Sequence, residues 1–355
     1  MSSYALYRFP HEDTAHRIEQ VKGEPEELAA CGEIDGQQGF VMAPFVPSAD
    51  QPVIIIRPDS MSCFDISHTH TPHTASHART IDETSERQRY AIDFRNFHSQ
   101  LSDGCFSKIV MARCSHMTAA SDISPEQLFA RACQLYPRMF VALVSAPRCG
   151  TWLMATPEIL LRGGHDEWQT MALAGTMRLH GDALDFDTPN GRTTEADILW
   201  SMKNRFEQRY VADYIEECIE QFTPDFTSCG PYTVRAGDLV HLRTDFRFRI
   251  GSGTRIGDII NSLHPTPAVC GIPKRQTQEF IIDNESVPRH YYSGFAGPLN
   301  TDGQTSLYVS LRCMRIDGRD SYLYAGGGLL ADSNEADEWS ETQAKMDTMR
   351  QLLTH

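Results

Sequence analysis

The chain has 355 residues and carries 47 Asp and Glu against 32 Lys and Arg, a formal net charge of −15 with 14 His counted as neutral. Hydrophobic residues at 41% and charged residues at 22% describe a globular protein and exclude wholesale disorder. The acidic balance argues against a nucleic-acid binder, which needs clustered Lys and Arg, and no apolar run reaches the ~18–20 residues that cross a bilayer.

The opening MSSYALYRFPHEDTAHRIEQ lacks the basic start and apolar centre of a secretory signal. Ten cysteines, scattered without a CxxC pair, read as reduced thiols, so a cytoplasmic location is expected. The early segments GFVMAPFV and PVIIIRP are short apolar runs bounded by Pro and Asp, which suit buried strands. SHTHTPHTASH, with His68, His70, His73 and His77, is polar enough to read as a loop. From Asp82 a helix is expected, with apolar positions Tyr90, Ile92, Phe94 and Phe97. SKIVMARC follows as a strand, PEQLFARACQLY as a helix, and FVALVSAP, TWLMATP and EILLRGG as successive strands. A long helix comes next, then DLVHLRTDFRFRI as strand, further helices, SLYVSLRCMRI and SYLYAGGG as strands, and a last helix. Strands that follow one another without a helix between them favour antiparallel pairing and an α+β class.

Two helices place acids beside an apolar stripe. One stripe runs Val211, Tyr214, Ile215, Cys218, Ile219, Phe222, and Glu207 lies one step before it, directed inward. The other runs Trp339, Thr342, Met346, Met349, Leu353, flanked by Glu338, Glu341 and Lys345. Solvated charge on an amphipathic helix is the ordinary explanation for either. The HxH spacings can ligate a transition metal, but no regular element orients those rings, so a solvated loop is expected. Gly326, Gly327 and Gly328 after a strand allow close backbone approach, without the Lys of a phosphate loop or GxGxxG spacing. GxSxG and HExxH are absent.

The motifs SKIVMAR, ATPEILLR, ALAGTMR, KNRFEQ, LHPTPAVCGIPK, YAGGGLL and EWSETQAK occur in the order seen in chorismate-utilising enzymes. The chain resembles that family, and within it the isochorismate synthases most. The resemblance implies a single large α+β domain of packed antiparallel sheets with helices outside. Residues 1–81 form its poorly matched N-terminal part, and 82–355 the chorismate-binding catalytic region. It implies Mg²⁺ as cofactor, and the addition of water at C2 of chorismate with loss of the C4 hydroxyl. Lys108 matches the general base and Glu158 the general acid. Glu207 and Glu341 match carboxylates that hold Mg²⁺, with Glu338 as accessory acid. Gly175, Thr176, His241, Ala268, Tyr292, Arg312, Gly326, Gly328 and Lys345 match positions around the substrate. Asn204 stands where relatives often carry an acid, RHYYSGFAG around Tyr292 is a looser match, and Gly327 replaces a commoner alanine.

Ala174 stands where aminodeoxychorismate synthases carry a lysine, and Ala268 where ammonia users tend to have threonine, so water is the expected nucleophile and no glutaminase subunit is expected. A monomer is the default expectation. Salicylate synthase, which goes on to eliminate pyruvate, is the alternative within the family. A non-catalytic relative holding metal on the histidine loop is the alternative outside it.

Overall fold

The computed structural model describes residues 2–66, 78–178, 199–251 and 253–354, together with the backbone of Arg192 and Thr193. The histidine loop at 68–77 lies outside the described residues. Two ten-stranded antiparallel sheets form the body. The first runs, edge to edge, through Gly271–Ile272, Lys108–Thr118, Asp320–Leu329, Cys313–Asp317, Gly150–Thr156, Phe140–Ala146, Ser3–Arg8, Thr14–Gln20 and Ser60–Asp65, with Arg79–Thr80 also beside Lys108–Thr118. The second runs through Arg192–Thr193, Phe226–Ala236, Leu239–Arg249, Glu167–Arg178, Ile159–Gly164, Thr305–Val309, Phe295–Leu299, Gly39–Ala43, Val53–Ile56 and Glu26–Leu28. This is the expected α+β architecture of packed antiparallel sheets.

Strand alternation explains why both faces of each sheet are apolar. Phe140, Ala142 and Val144 of the first sheet meet Phe40, Met42, Ile54 and Ile56 of the second, which makes the layer between the sheets. Val141 and Leu143 turn outward instead, against helix α2 (Pro125–Leu135) and the end of helix α6 (Glu335–Thr354). Val41, Ala43, Val53 and Ile55 face helices α3 (Met202–Glu220) and α4 (Ile256–Leu263) on the outside of the second sheet. Helices α1 (Glu83–Ser102) and α5 (Lys274–Asn284) cover Ile109, Met111 and Leu329.

Four details go beyond or depart from the sequence expectations. Ile92 is 49% exposed, because only Tyr90, Phe94 and Phe97 fall on the buried face of α1. Ser3–Arg8 and Thr14–Gln20 are strands that no local pattern announced, and residues before 82 supply strands to both sheets. Phe226–Ala236 forms a hairpin with Leu239–Arg249. The glycine run is no turn: it sits inside Asp320–Leu329, with Gly328 opposite Val110 and Gly326 opposite Ala112.

Candidate active site

Lys108 opens its strand beside Ile272, and strand alternation directs it, with Val110 and Ala112, to the face away from Ile109 and Met111. Its side chain is fully buried, and its Nζ lies 3.3 Å from Glu207 Oε1. The neighbouring strand makes room for this pair. A Cβ on Gly328 would lie 2.1 Å from Glu207 Oε1 and 2.9 Å from Lys108 Cε. A Cβ on Gly327 would meet Glu338 Oε2 at 3.2 Å and Glu341 Oε1 at 3.8 Å. The bare ribbon thus lets carboxylates from α3 and α6 approach the same stretch of backbone.

Each of those carboxylates faces a lysine. Glu207 pairs with Lys108, Glu338 with Lys203, and Glu341 with Lys345 at 2.7 Å. Lys345 also donates to the carbonyl of Gly326 at 2.9 Å. The orientation of α3 is secured by Gln208, which accepts from Ala174 N at 2.8 Å and donates to Ala172 O and Thr244 Oγ1 at 3.2 Å. Those bonds seat the helix on strand Glu167–Arg178 where its register slips between Ala174 and Thr176. Gly175 sits in that bulge at φ +68°, a conformation that favours glycine, with Asn204 O 3.1 Å from where a Cβ would be.

One cavity gathers most of the expected site. Glu158, Glu207, Gly175, Thr176, His241, Ala268, Tyr292, Arg312, Gly326, Gly328 and Lys345 all line it. Lys108, Glu338 and Glu341 stand behind that wall; Lys108 and Glu341 are joined to it through Glu207 and Lys345, and Glu338 pairs with Lys203, which does not line the cavity itself. A more open groove around Arg162, Trp168 and Arg247 lies at one end of the second sheet and contains none of the expected residues.

Arg312 is buried, donates to Ala236 O at 3.1 Å and touches His241 Nε2, and makes no ion pair among the described residues. Because the guanidinium can only donate, His241 Nε2 accepts, and Nδ1 is left as the donor to Gly175 O at 3.1 Å. Burial and the adjacent Arg312 hold His241 well below its ordinary pKa, so the ring is neutral. Burial likewise lowers Arg312 to about 10.

The acid and the lysine are displaced in opposite senses. Burial raises Glu158 to about 8 against the pull of Lys108, Lys345 and Arg312, and its Oε1 accepts no hydrogen bond. Burial, aided by Lys345, lowers Lys108, while Glu207 opposes the shift. For Glu207 burial acts upward, but Lys108, Lys203 and Lys345 outweigh it and hold the carboxyl below its usual value. Burial and the like charge of Glu341 raise Glu338 to about 7.

Among the described residues no three acidic, His or Cys side chains converge on one point as a formed metal centre. The donors present still suit a hard divalent ion. Glu338 Oε2 is buried with no hydrogen-bond partner, and the oxygens of Glu207, Glu338 and Glu341 border the glycine ribbon. Lys203 and Gln208 were not picked out from the sequence. Gln208 left a trace there, since it falls three and seven residues before Val211 and Ile215 on the apolar stripe of α3.

A family model described as chorismate binding enzyme matches residues 52–354. The salicylate biosynthesis isochorismate synthase of Pseudomonas aeruginosa is 33% identical over 76% of this chain and 55% of its own length. Isochorismate synthase DhbC of Bacillus subtilis is 26% identical over 97% of this chain and 88% of its own. EntC of Escherichia coli is 28% identical over 68% and 61% respectively, so the chain spans less than two thirds of the Pseudomonas and Escherichia coli relatives. In three dimensions DhbC from Bacillus anthracis superposes with a TM-score of 0.83 at 21% identity, covering 99% of this chain and 96% of that one. MenF from Escherichia coli gives 0.80 at 21% identity, with 99% and 88% covered. At that identity the superpositions speak for the fold. The family match extends over most of the length and over every residue of the cavity wall, and the chain belongs to the chorismate-binding enzymes.

Proposed function

We propose that the chain is an isochorismate synthase, an isomerase that adds water at C2 of chorismate and expels the C4 hydroxyl as water. The observation that carries this reading is a buried acid lining the cavity and kept protonated to about pH 8, with a buried lysine held below its ordinary pKa just behind the wall against Glu207. Acid–base pairs whose environments reverse their usual ionisation are what a reaction needs when it takes one proton and gives another at neutral pH. The names of the relatives point the same way.

In this mechanism neutral Lys108 removes a proton from the attacking water as its oxygen bonds to C2. The ring π electrons shift, the C4–O bond breaks, and Glu158 protonates the departing oxygen. One water enters and one leaves. Lys108 ends as ammonium and Glu158 as carboxylate, and a net proton return from Lys108 to Glu158 through solvent resets the pair. Arg312, unpaired and buried, supplies a guanidinium for a substrate carboxylate, and Tyr292, Thr176 and the Gly326 and Gly328 backbone border the ring. Glu207, Glu338 and Glu341 would hold Mg²⁺, which when bound neutralises a substrate carboxylate. Ala174 and Ala268 line the cavity with methyl groups and offer no hydrogen bond to orient ammonia, so water is the nucleophile and no glutaminase subunit takes part.

No helix among the described residues is long and apolar enough to cross a membrane. Purified protein given chorismate and Mg²⁺ should yield isochorismate by mass spectrometry. Salicylate with pyruvate would assign it to the salicylate synthases, and no turnover would make it a non-catalytic relative.

A further inference from the structure

Lys203 occupies an unusual place. It is the second residue of α3, close to the positive end of the helix dipole, where a cation is disfavoured, and the first turn holds no acid of its own. What holds its ammonium is another helix: it pairs with Glu338 of α6, and Glu207 and Glu341 also attract it. The other lysines of the cluster are fixed more firmly. Lys108 is fully buried, and Lys345 is bound to both Glu341 and the Gly326 carbonyl. Lys203 has Glu338 as its hydrogen-bonding partner and keeps 22% side-chain exposure, so a rotation of its side chain reaches water. The Glu338 carboxylate it holds is itself only 1% exposed.

We propose that Lys203 is a tethered counter-cation: it neutralises Glu338 while no divalent ion is bound, swings into solvent when Mg²⁺ arrives, and thereby sets the affinity of the protein for that ion. The proposal rests on the reading that Glu207, Glu338 and Glu341 hold Mg²⁺. A site open in only a fraction of molecules binds with an affinity lowered by that fraction. A charge-assisted hydrogen bond corresponds to a factor of roughly ten to a hundred. Removing the ammonium also removes a like charge from the neighbourhood of the ion, which acts in the same direction.

The test is isothermal titration calorimetry of MgCl₂ into the metal-free full chain, with and without chorismate, for wild type, Lys203→Met and Lys203→Arg. Lys203→Met should bind Mg²⁺ roughly tenfold or more tightly than wild type, and Mg²⁺ should raise its melting temperature by more. Lys203→Arg, which keeps the ion pair, should stay close to wild type. Should Lys203→Met fold poorly, Lys203→Gln keeps an amide donor to Glu338 without the charge and should show the same tightening. Equal or weaker Mg²⁺ affinity in the uncharged variants, with wild type binding normally, overturns the proposal alone. No Mg²⁺ binding by wild type, even with chorismate, removes the ion-site reading and this proposal together.

Discussion

Replacing Gly328 by alanine puts a methyl carbon 2.1 Å from Glu207 Oε1 and 2.9 Å from Lys108 Cε. Ordinary carbon–heavy-atom contacts begin near ~3.5 Å, so the carboxylate oxygen must retreat by roughly 1.4 Å. The backbone cannot yield instead, since Gly328 is held in the ladder opposite Val110. Glu207 is buried and only 3.3 Å from Lys108 Nζ, so its retreat breaks the pair and moves both groups. Overpacking of this kind costs about 1–3 kcal/mol, and misplacing a reacting group by ~1 Å costs roughly a hundredfold in rate. Gly328→Ala should therefore fold, melt a few degrees lower, and lose about two orders of magnitude in kcat/KM for chorismate. Gly327→Ala is the matched control, because its methyl would meet carboxylate oxygens at 3.2 and 3.8 Å, which a small side-chain rotation relieves. It should keep activity within about threefold, and alanine's better backbone entropy offsets part of the strain. Continuous spectrophotometric turnover assays and thermal melts on both variants decide the matter. If Gly328→Ala retained more than half of wild-type activity, the crowding argument and the role given to Glu207 beside Lys108 would be wrong.

Lys108→Ala and Glu158→Gln should each fold and lose roughly 10²–10⁴-fold in turnover, and near-wild-type rates with intact circular dichroism would remove that residue from the proton-transfer pair. Because the folded chain holds Glu158 protonated to about 8 against an ordinary 4.5, the native state binds the extra proton across that window, and stability drains away as pH rises through it. Urea denaturation from about pH 5 to about pH 9 should therefore show wild type losing stability relative to Glu158→Gln, and a pH-independent difference would refute the shift. With chorismate, Mg²⁺ and abundant ammonium, wild type should still make isochorismate. Ala268→Thr should admit at most partial amination, since one hydroxyl is worth only ~1 kcal/mol of orientation, and mainly aminated product from the unmodified chain would sink the water assignment.

The elements legible in the sequence were those whose periodicity survives locally. Phe140–Ala146 alternates between two buried faces, and Tyr90, Phe94 and Phe97 repeat at helical spacing. Thr14–Gln20 was not legible, because its identity as a strand comes from pairing with Ser3–Arg8 and Ser60–Asp65 rather than from its own mixed polar pattern. Gly326 to Gly328 were ambiguous for a related reason: a glycine run reads equally as a turn, and only the ladder with Lys108–Thr118 makes it a strand. Motif order singled out the candidate residues, and the fold draws most of them from separate elements to the wall of one cavity. Lys203 escaped notice because a lysine at the start of a helix looks like surface charge until α6 is seen to bring Glu338 to it.

The charge arrangement of the site resolves an apparent conflict between an acidic protein and the dianionic substrate proposed for it. With a net charge of −15, the chain as a whole repels chorismate. Within the cavity the balance reverses. Glu158 stays neutral to about pH 8 and so contributes little negative charge where the substrate would sit, while Glu338, behind the wall, is paired with Lys203. Among the described residues Arg312 has no ion-pair partner, and Lys345 and Lys203 pair with Glu341 and Glu338. A buried cation with no protein counter-ion is costly unless a ligand completes it, and here the ligand is the anion. The same burial that lowers Arg312 raises Glu158 and lowers Lys108, so the cavity proposed to take the substrate also sets the two proposed proton-transfer groups. Recognition and catalysis therefore share one physical cause, desolvation between the two sheets. A substitution that admits water to the cavity without touching a named residue should accordingly weaken both together.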